Sequence, residues 1–87
     1  SCLILYIEGV KDYVKIVTPD KTVITKLSIG NILKALPSHH FLQMHKSFIV
    51  TKNKITAFTT LDVEIGHTEI PIGRVYREAF LNHLNKE

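Results

Sequence analysis

The segment from Phe41 to Val50, Phe-Leu-Gln-Met-His-Lys-Ser-Phe-Ile-Val, does most to constrain what this chain can become. Two apolar β-forming stretches flank a polar His45-Lys46-Ser47 step, and the alternation breaks where the cation and the hydroxyl sit. A core needs the flanks, because aromatic and β-branched side chains suit a pleated, half-buried surface. It does not need a donor cluster between them. Three hydrogen-bonding side chains on a rigid β scaffold make a binding edge, and such donors favour an anionic partner.

With 87 residues the chain is expected to form one domain, since single cores are built from about 50 to 200 residues. A hydrophobic content of 45% beside 22% charged residues marks a globular chain and argues against disorder. The net charge of +3 is mildly basic, so any strong positive field must come from local clustering. Lys11, Lys15, Lys21 and Lys26 fall in the first third and Lys46, Lys52 and Lys54 in the middle, whereas Asp62, Glu64 and Glu69 make a later stretch acidic. Cys2 is the single cysteine, which excludes an intrachain disulfide and a cysteine-based zinc site. It fits a reducing, cytoplasmic setting. No apolar run approaches the roughly 18 residues that span a bilayer, and no cleavable leader is recognisable. Because strand-like sequence begins at Cys2, the chain is expected to be the C-terminal part of a longer protein, with another domain upstream.

Leu3 to Ile7 reads as a buried strand, followed by a turn through Glu8-Gly9 and Lys11-Asp12. Tyr13 to Thr18 alternates, with Val14 and Ile16 on one face and Tyr13 and Lys15 on the other. Pro19-Asp20-Lys21 makes a tight turn into Thr22 to Leu27, so residues 13–27 read as a hairpin. Ile29, Ile32, Leu33 and Leu36 then share one helical face behind a Ser28 cap, and Pro37 ends that helix. Strands are expected at Phe41–Met44 and Phe48–Val50, a turn at Asn53-Lys54, and a hairpin from Ile55–Thr60 and Asp62–Ile65, continued by Thr68–Ile72. Tyr76, Phe80 and Leu84 predict a helix from Gly73 to about His83, with Arg77, Glu78 and Asn82 facing outward. No internal repeat occurs. Strands, short helix, strands and terminal helix, without βαβ alternation, favour a mainly β, antiparallel architecture.

The five histidines lack the spacing of a metal site: His39 and His40 are adjacent, and no helical His-x-x-x-His pair occurs. Ser47 lies two residues from His45, with no third group to orient a base, and the glycines are too scattered for a phosphate loop. The chain reads as a non-enzyme without cofactor or metal.

Nucleic-acid binding requires cations for phosphates and side chains that reach base edges. Three clusters offer both: Tyr13 and Lys15 beside the Lys11-Asp12 turn, His45-Lys46-Ser47, and Gly73-Arg74-Val75-Tyr76-Arg77. The plain alternatives are an exposed hairpin face for the first and a β-bulge meeting water for the second. In the third, Arg74 opens a helix whose first N–H groups and dipole already favour an anion, an arrangement that a phosphate or a guanine edge completes.

These residues carry a resemblance to a known family. Leu5-Tyr6-Ile7-Glu8, Asp12-Tyr13-Val14-Lys15-Ile16, Phe41 with His45-Lys46-Ser47-Phe48-Ile49-Val50, and Ile70-Pro71-Ile72-Gly73-Arg74 with Tyr76-Arg77 follow the order and spacing of the LytTR domain. That domain is a DNA-binding output module, found mainly at the C-terminus of bacterial response regulators. The resemblance covers nearly the whole chain. It implies an elongated fold of antiparallel β-sheets with a short central helix and a C-terminal helix, whose loops enter successive major grooves of a bent duplex. By position it assigns base reading to Tyr13, Lys46 and Arg74, and phosphate contact to Lys11, Lys15, Ser47, Lys52 and Arg77. It also implies regulation of transcription from paired direct repeats of double-stranded DNA, with dimerisation through an upstream receiver and no membrane contact by this domain. Two residues depart from the pattern: Gly73 stands where serine is usual, and Lys46 where arginine is common. The competing reading is a β-rich protein–protein interaction module, which would display an apolar surface patch.

Overall fold

The computed structural model describes residues 4–85. Five antiparallel strands form the main sheet: β1 (Tyr6–Val10), β2 (Tyr13–Val17), β3 (Thr22–Thr25), β4 (Phe41–His45) and β5 (Phe48–Thr51), in the order β3-β2-β1-β5-β4. Helix α1 (Ile29–Ala35) crosses between β3 and β4. A single 3-10 turn at Lys52–Lys54 leads into a smaller antiparallel sheet of β6 (Ala57–Phe58), β7 (Asp62–Ile65) and β8 (Thr68–Pro71). Helix α2 (Arg74–Asn85) closes the chain. The molecule measures 34 Å along its longest axis against 25 and 21 Å across.

The alternation of side chains gives the main sheet two buried faces. Ile7, Val14 and Ile49 point to one face, where Ile32 and its neighbours Ile29, Leu33 and Leu36 on α1 cover them. Tyr6, Phe48 and Val50 point to the other, against Val63, Ile65 and Ile70 of the small sheet and Phe80 of α2. Strand β4 serves both cores by alternation: Phe41 faces the first, Leu42 and Met44 the second. Its register slips between Gln43 and His45, leaving Met44 as the extra residue of a bulge just before the turn. Ser28 caps α1 as expected, its Oγ accepting the Asn31 N–H at 3.1 Å.

Several boundaries differ from the sequence expectation, each for a local reason. The first strand starts at Tyr6 and runs through Glu8 and Gly9, which were expected in the turn; only Lys11 and Asp12 make it. Gly9 belongs inside β1 because Ile29 packs over it, 3.3 Å from where a Cβ would stand. Leu3, expected to begin this strand, lies outside the described residues. Strand β6 is cut to Ala57-Phe58, because the Thr59 hydroxyl accepts the N–H groups of Leu61 and Asp62 and holds a local turn instead. Helix α2 extends past His83 to Asn85.

Phe80 is 1% exposed and joins α2 to both sheets of the second core. Phe80→Ala is expected to lower stability by about 3–5 kcal/mol, read from a urea unfolding midpoint. A loss under about 1 kcal/mol would show that α2 is not held by this core.

Candidate nucleic-acid interface

Backbone pairing brings remote segments to one end of the main sheet. Strand β1 ends at Val10, paired with Tyr13, so the Lys11-Asp12 turn sits at that end. Strand β5 begins there, because Glu8 pairs with Phe48 and the Gly9 N–H donates to the Ser47 carbonyl at 2.7 Å. The Lys46-Ser47 turn therefore stands beside the Lys11-Asp12 turn, about 10 Å away at two strand spacings. On the far side of β4, the Gly73 N–H donates to the Met44 carbonyl at 2.7 Å, and this bond starts α2 at the same end. Tyr13, Lys46 and Arg74 thus line one edge, with Lys46 and Arg74 exposed and Tyr13 half-buried.

Each element of this edge has a local cause. Lys11 takes a left-handed φ of 53°, a conformation that normally belongs to glycine or asparagine. Between His45 and Phe48 the chain reverses in two residues, so the polar break in the sequence is a hairpin turn preceded by the Met44 bulge. The turn is braced from within: the Ser47 N–H donates to His45 Nδ1 at 3.1 Å, and the His45 ring meets Phe48 edge-on at 5.7 Å. With Nδ1 accepting, a neutral His45 carries its proton on Nε2. Ser47 is half-buried, its carbonyl already taken by Gly9. Gly73 has a steric reason to lack a side chain, since a Cβ there would lie 2.9 Å from Tyr76 Cδ2. The tyrosine ring folds back over the glycine, and the serine usual in the family would displace it.

Not every expected contact residue joins this edge. Lys15 is on the same face as Tyr13 but one row back, opposite Glu8 and Ile24, and half-buried. Arg77, expected to face outward, is half-buried, and its Nε is enclosed without a hydrogen-bond partner. It shares the inward side of α2 with Tyr76 and Phe80. Lys52 lies at the opposite end of the sheet, because β5 carries the chain about 13 Å away from the Ser47 turn before Lys52 begins. There Lys52 borders an open, largely apolar cleft of about 500 Å³ with His39, Phe58, Phe80 and Leu84 among its walls. Apolar surface of the kind a protein-interaction module would show is therefore present, away from the cationic edge.

Two residues were not picked out as contact candidates from the sequence. Lys26 follows β3, whose Thr25 pairs with Val14, so it stands next to Tyr13 on the same edge. Counting the hairpin register across Pro19-Asp20-Lys21 would have found it. Val75, in the first turn of α2, is 80% exposed beside Arg74. The resulting edge presents Lys26, Lys11, Lys46 and Arg74 together with the positive end of the α2 dipole. The acidic residues Asp62, Glu64 and Glu69 are kept on the small sheet, where Glu64 and Glu69 lie directly opposite one another. Among the described residues no group of three or more His, Cys, Asp or Glu side chains is placed to hold a metal, and no helix is long and apolar enough to cross a membrane.

Comparison with known proteins identifies the family and the fold. The family model of the LytTr DNA-binding domain matches residues 2–85. The fold is also that of a solved LytTr DNA-binding domain from Bacillus cereus, taken from a protein described as a methyl-accepting/DNA response regulator. The two share 24% identity at a TM-score of 0.83, over 94% of this chain and 81% of that one. None of the curated proteins matches. The chain belongs to the LytTr DNA-binding domain family, whose members bind DNA and are not catalysts.

The strained lysine in the β1–β2 turn yields a direct test. Lys11→Gly is expected to stabilise the domain by about 0.5–1 kcal/mol, the relief of a left-handed residue less the extra chain entropy of glycine. Thermal unfolding measures it, and a destabilised variant would mean that the Lys11 side chain contributes to the fold.

Proposed function

We propose that this domain binds double-stranded DNA sequence-specifically and serves as the output module of a two-component transcription regulator. In this reading an upstream receiver, on phosphorylation, promotes dimerisation on paired direct repeats. The observation that carries the proposal is the convergence of three separately encoded cationic turns on one sheet edge. A sheet edge of this kind has no structural need for Lys11, Lys26, Lys46 and Arg74 together, and the family likeness supplies the ligand.

Tyr13, Lys46 and Arg74 are the base-reading residues in this proposal, at the tips of the edge. Arg74 is suited to a bidentate contact with guanine O6 and N7, and Lys46 to a single donated bond, because its ammonium lacks the planar fork. Lys11, Lys26 and Ser47 are phosphate neighbours, with Lys15 one row behind them; Lys52, at the other end of the sheet, and Arg77, turned inward on α2, are left out. The turns stand closer together than the roughly 34 Å repeat of the major groove, so engaging two grooves requires long side chains and a duplex curved around the edge. The acidic outer face of the small sheet opposes binding in the reverse orientation.

A salt titration with point variants tests this. Log K should fall against log salt with a slope of about −4 to −6, the release expected for five or six neutralised phosphates. Arg74→Ala should cost about 1–3 kcal/mol on a selected duplex and less on a scrambled one. Lys15→Ala should weaken both alike, and Lys52→Ala neither. A flat salt response rejects the interface, and equal losses on both duplexes for Arg74→Ala reject its base-reading role.

A further inference from the structure

We propose that Val75 is a specificity residue that packs on the C5-methyl group of a thymine next to the base pair held by Arg74. The inference rests on the DNA-binding reading above and extends it to a chemical preference at one position. Val75 has the highest fractional exposure of any large apolar side chain among the described residues, 80%, against 64% for Leu61 and 60% for Ile24. Single exposed apolar residues are ordinary on protein surfaces. This one is disfavoured on two counts at once. A β-branched residue loses rotamer freedom in a helix, and here no packing offsets the loss. Its methyl groups also stand in water beside Arg74, on the edge where every neighbouring tip is polar or charged.

A surface built only to hold phosphates would place a lysine, arginine or serine at this point. The floor of the major groove offers one apolar feature, the thymine methyl, and small apolar side chains are its usual partners. The reach is also right. Adjacent side chains in the first turn of α2 lie about 1.5 Å apart along its axis and diverge by about 100°, so Arg74 and Val75 fan out from one point and can reach base pairs a single step of about 3.4 Å apart. Both point away from the inward side of α2, which carries Tyr76, Arg77 and Phe80. An arginine on guanine with an apolar neighbour on thymine would read a two-base step from one helical turn.

The experiment uses the 87-residue chain and a duplex recovered by selection from a random pool. Each thymine is replaced in turn by deoxyuridine, which removes the C5-methyl and nothing else. Wild type is expected to lose about fourfold in affinity at one position, the value of a single methyl withdrawn from water. That position should lie within one step of the guanine whose replacement Arg74→Ala no longer senses. Val75→Ala should bind the unmodified duplex about fourfold more weakly and show no further loss on the deoxyuridine duplex, whereas Val75→Thr, which keeps a methyl, should restore the discrimination. The proposal is overturned if no thymine behaves this way, or if the Ala variant still senses the missing methyl. In either case steep, salt-dependent duplex binding would leave the broader reading standing. Absence of binding to any duplex would remove both.

Discussion

Two backbone hydrogen bonds decide where the functional residues of this domain end up. The Gly9 N–H to the Ser47 carbonyl aligns the β1–β2 turn with the β5–β4 turn, and the Gly73 N–H to the Met44 carbonyl seats the start of α2 beside them. Each is worth only about 0.5–1.5 kcal/mol net, so their contribution is register more than stability. A slip of one residue at either would send Lys46 or Arg74 to another face. The energy that keeps the register comes from elsewhere: Met44 is fully buried in the second core, and Ile72 and Phe80 bury on either side of Gly73. Packing sets the position, and the hydrogen bonds transmit it to the tips.

The edge is costly in the places where a ligand-binding surface is expected to be. Lys11 occupies a glycine conformation, Val75 exposes methyl groups to water, and four cations are ranged along one end of the sheet, with no acidic partner beside Arg74 or Lys46 among the described residues. The opposite end carries a different chemistry, with a half-open apolar cleft and the single cation Lys52 among its described walls. The two ends of the sheet differ in shape more than in cation content, because Lys21 and Lys54 stand with Lys52 at the far end. The scaffold of the Lys11–Arg74 edge is sheet throughout, so the exposed tips are turns held by paired strands, and only Arg74 and Val75 come from a helix.

Much of this was legible in the sequence because the signals were local. The alternation of Tyr13, Val14, Lys15 and Ile16 predicts which face each residue takes, and Ser28 and Pro37 mark the limits of α1. The failures came where tertiary contacts overrode local preference. Glu8-Gly9 looks like a turn, yet Gly9 is a strand glycine selected by Ile29 above it. Arg77 looks like a surface arginine from the helical period, yet it falls on the side of α2 that packs inward. Lys52 is near Lys46 in sequence but separated from it by the length of a strand, while Lys26, distant in sequence, ends up at the same end of the sheet, opposite Tyr13. Which cations share an edge is a property of strand direction and register, and only the family pattern hinted at it beforehand.

The central claim is that duplex DNA meets the end of the sheet formed by the three turns. Backbone amide shifts of the labelled domain, followed by NMR as a short duplex is added, test it most directly. The largest changes should gather at Lys11–Tyr13, Lys26, Lys46–Ser47 and Gly73–Val75. Residues around Lys52, Phe58 and His83, at the far end, should stay within the background. Shifts centred on that cleft, or spread evenly over the domain, would contradict it.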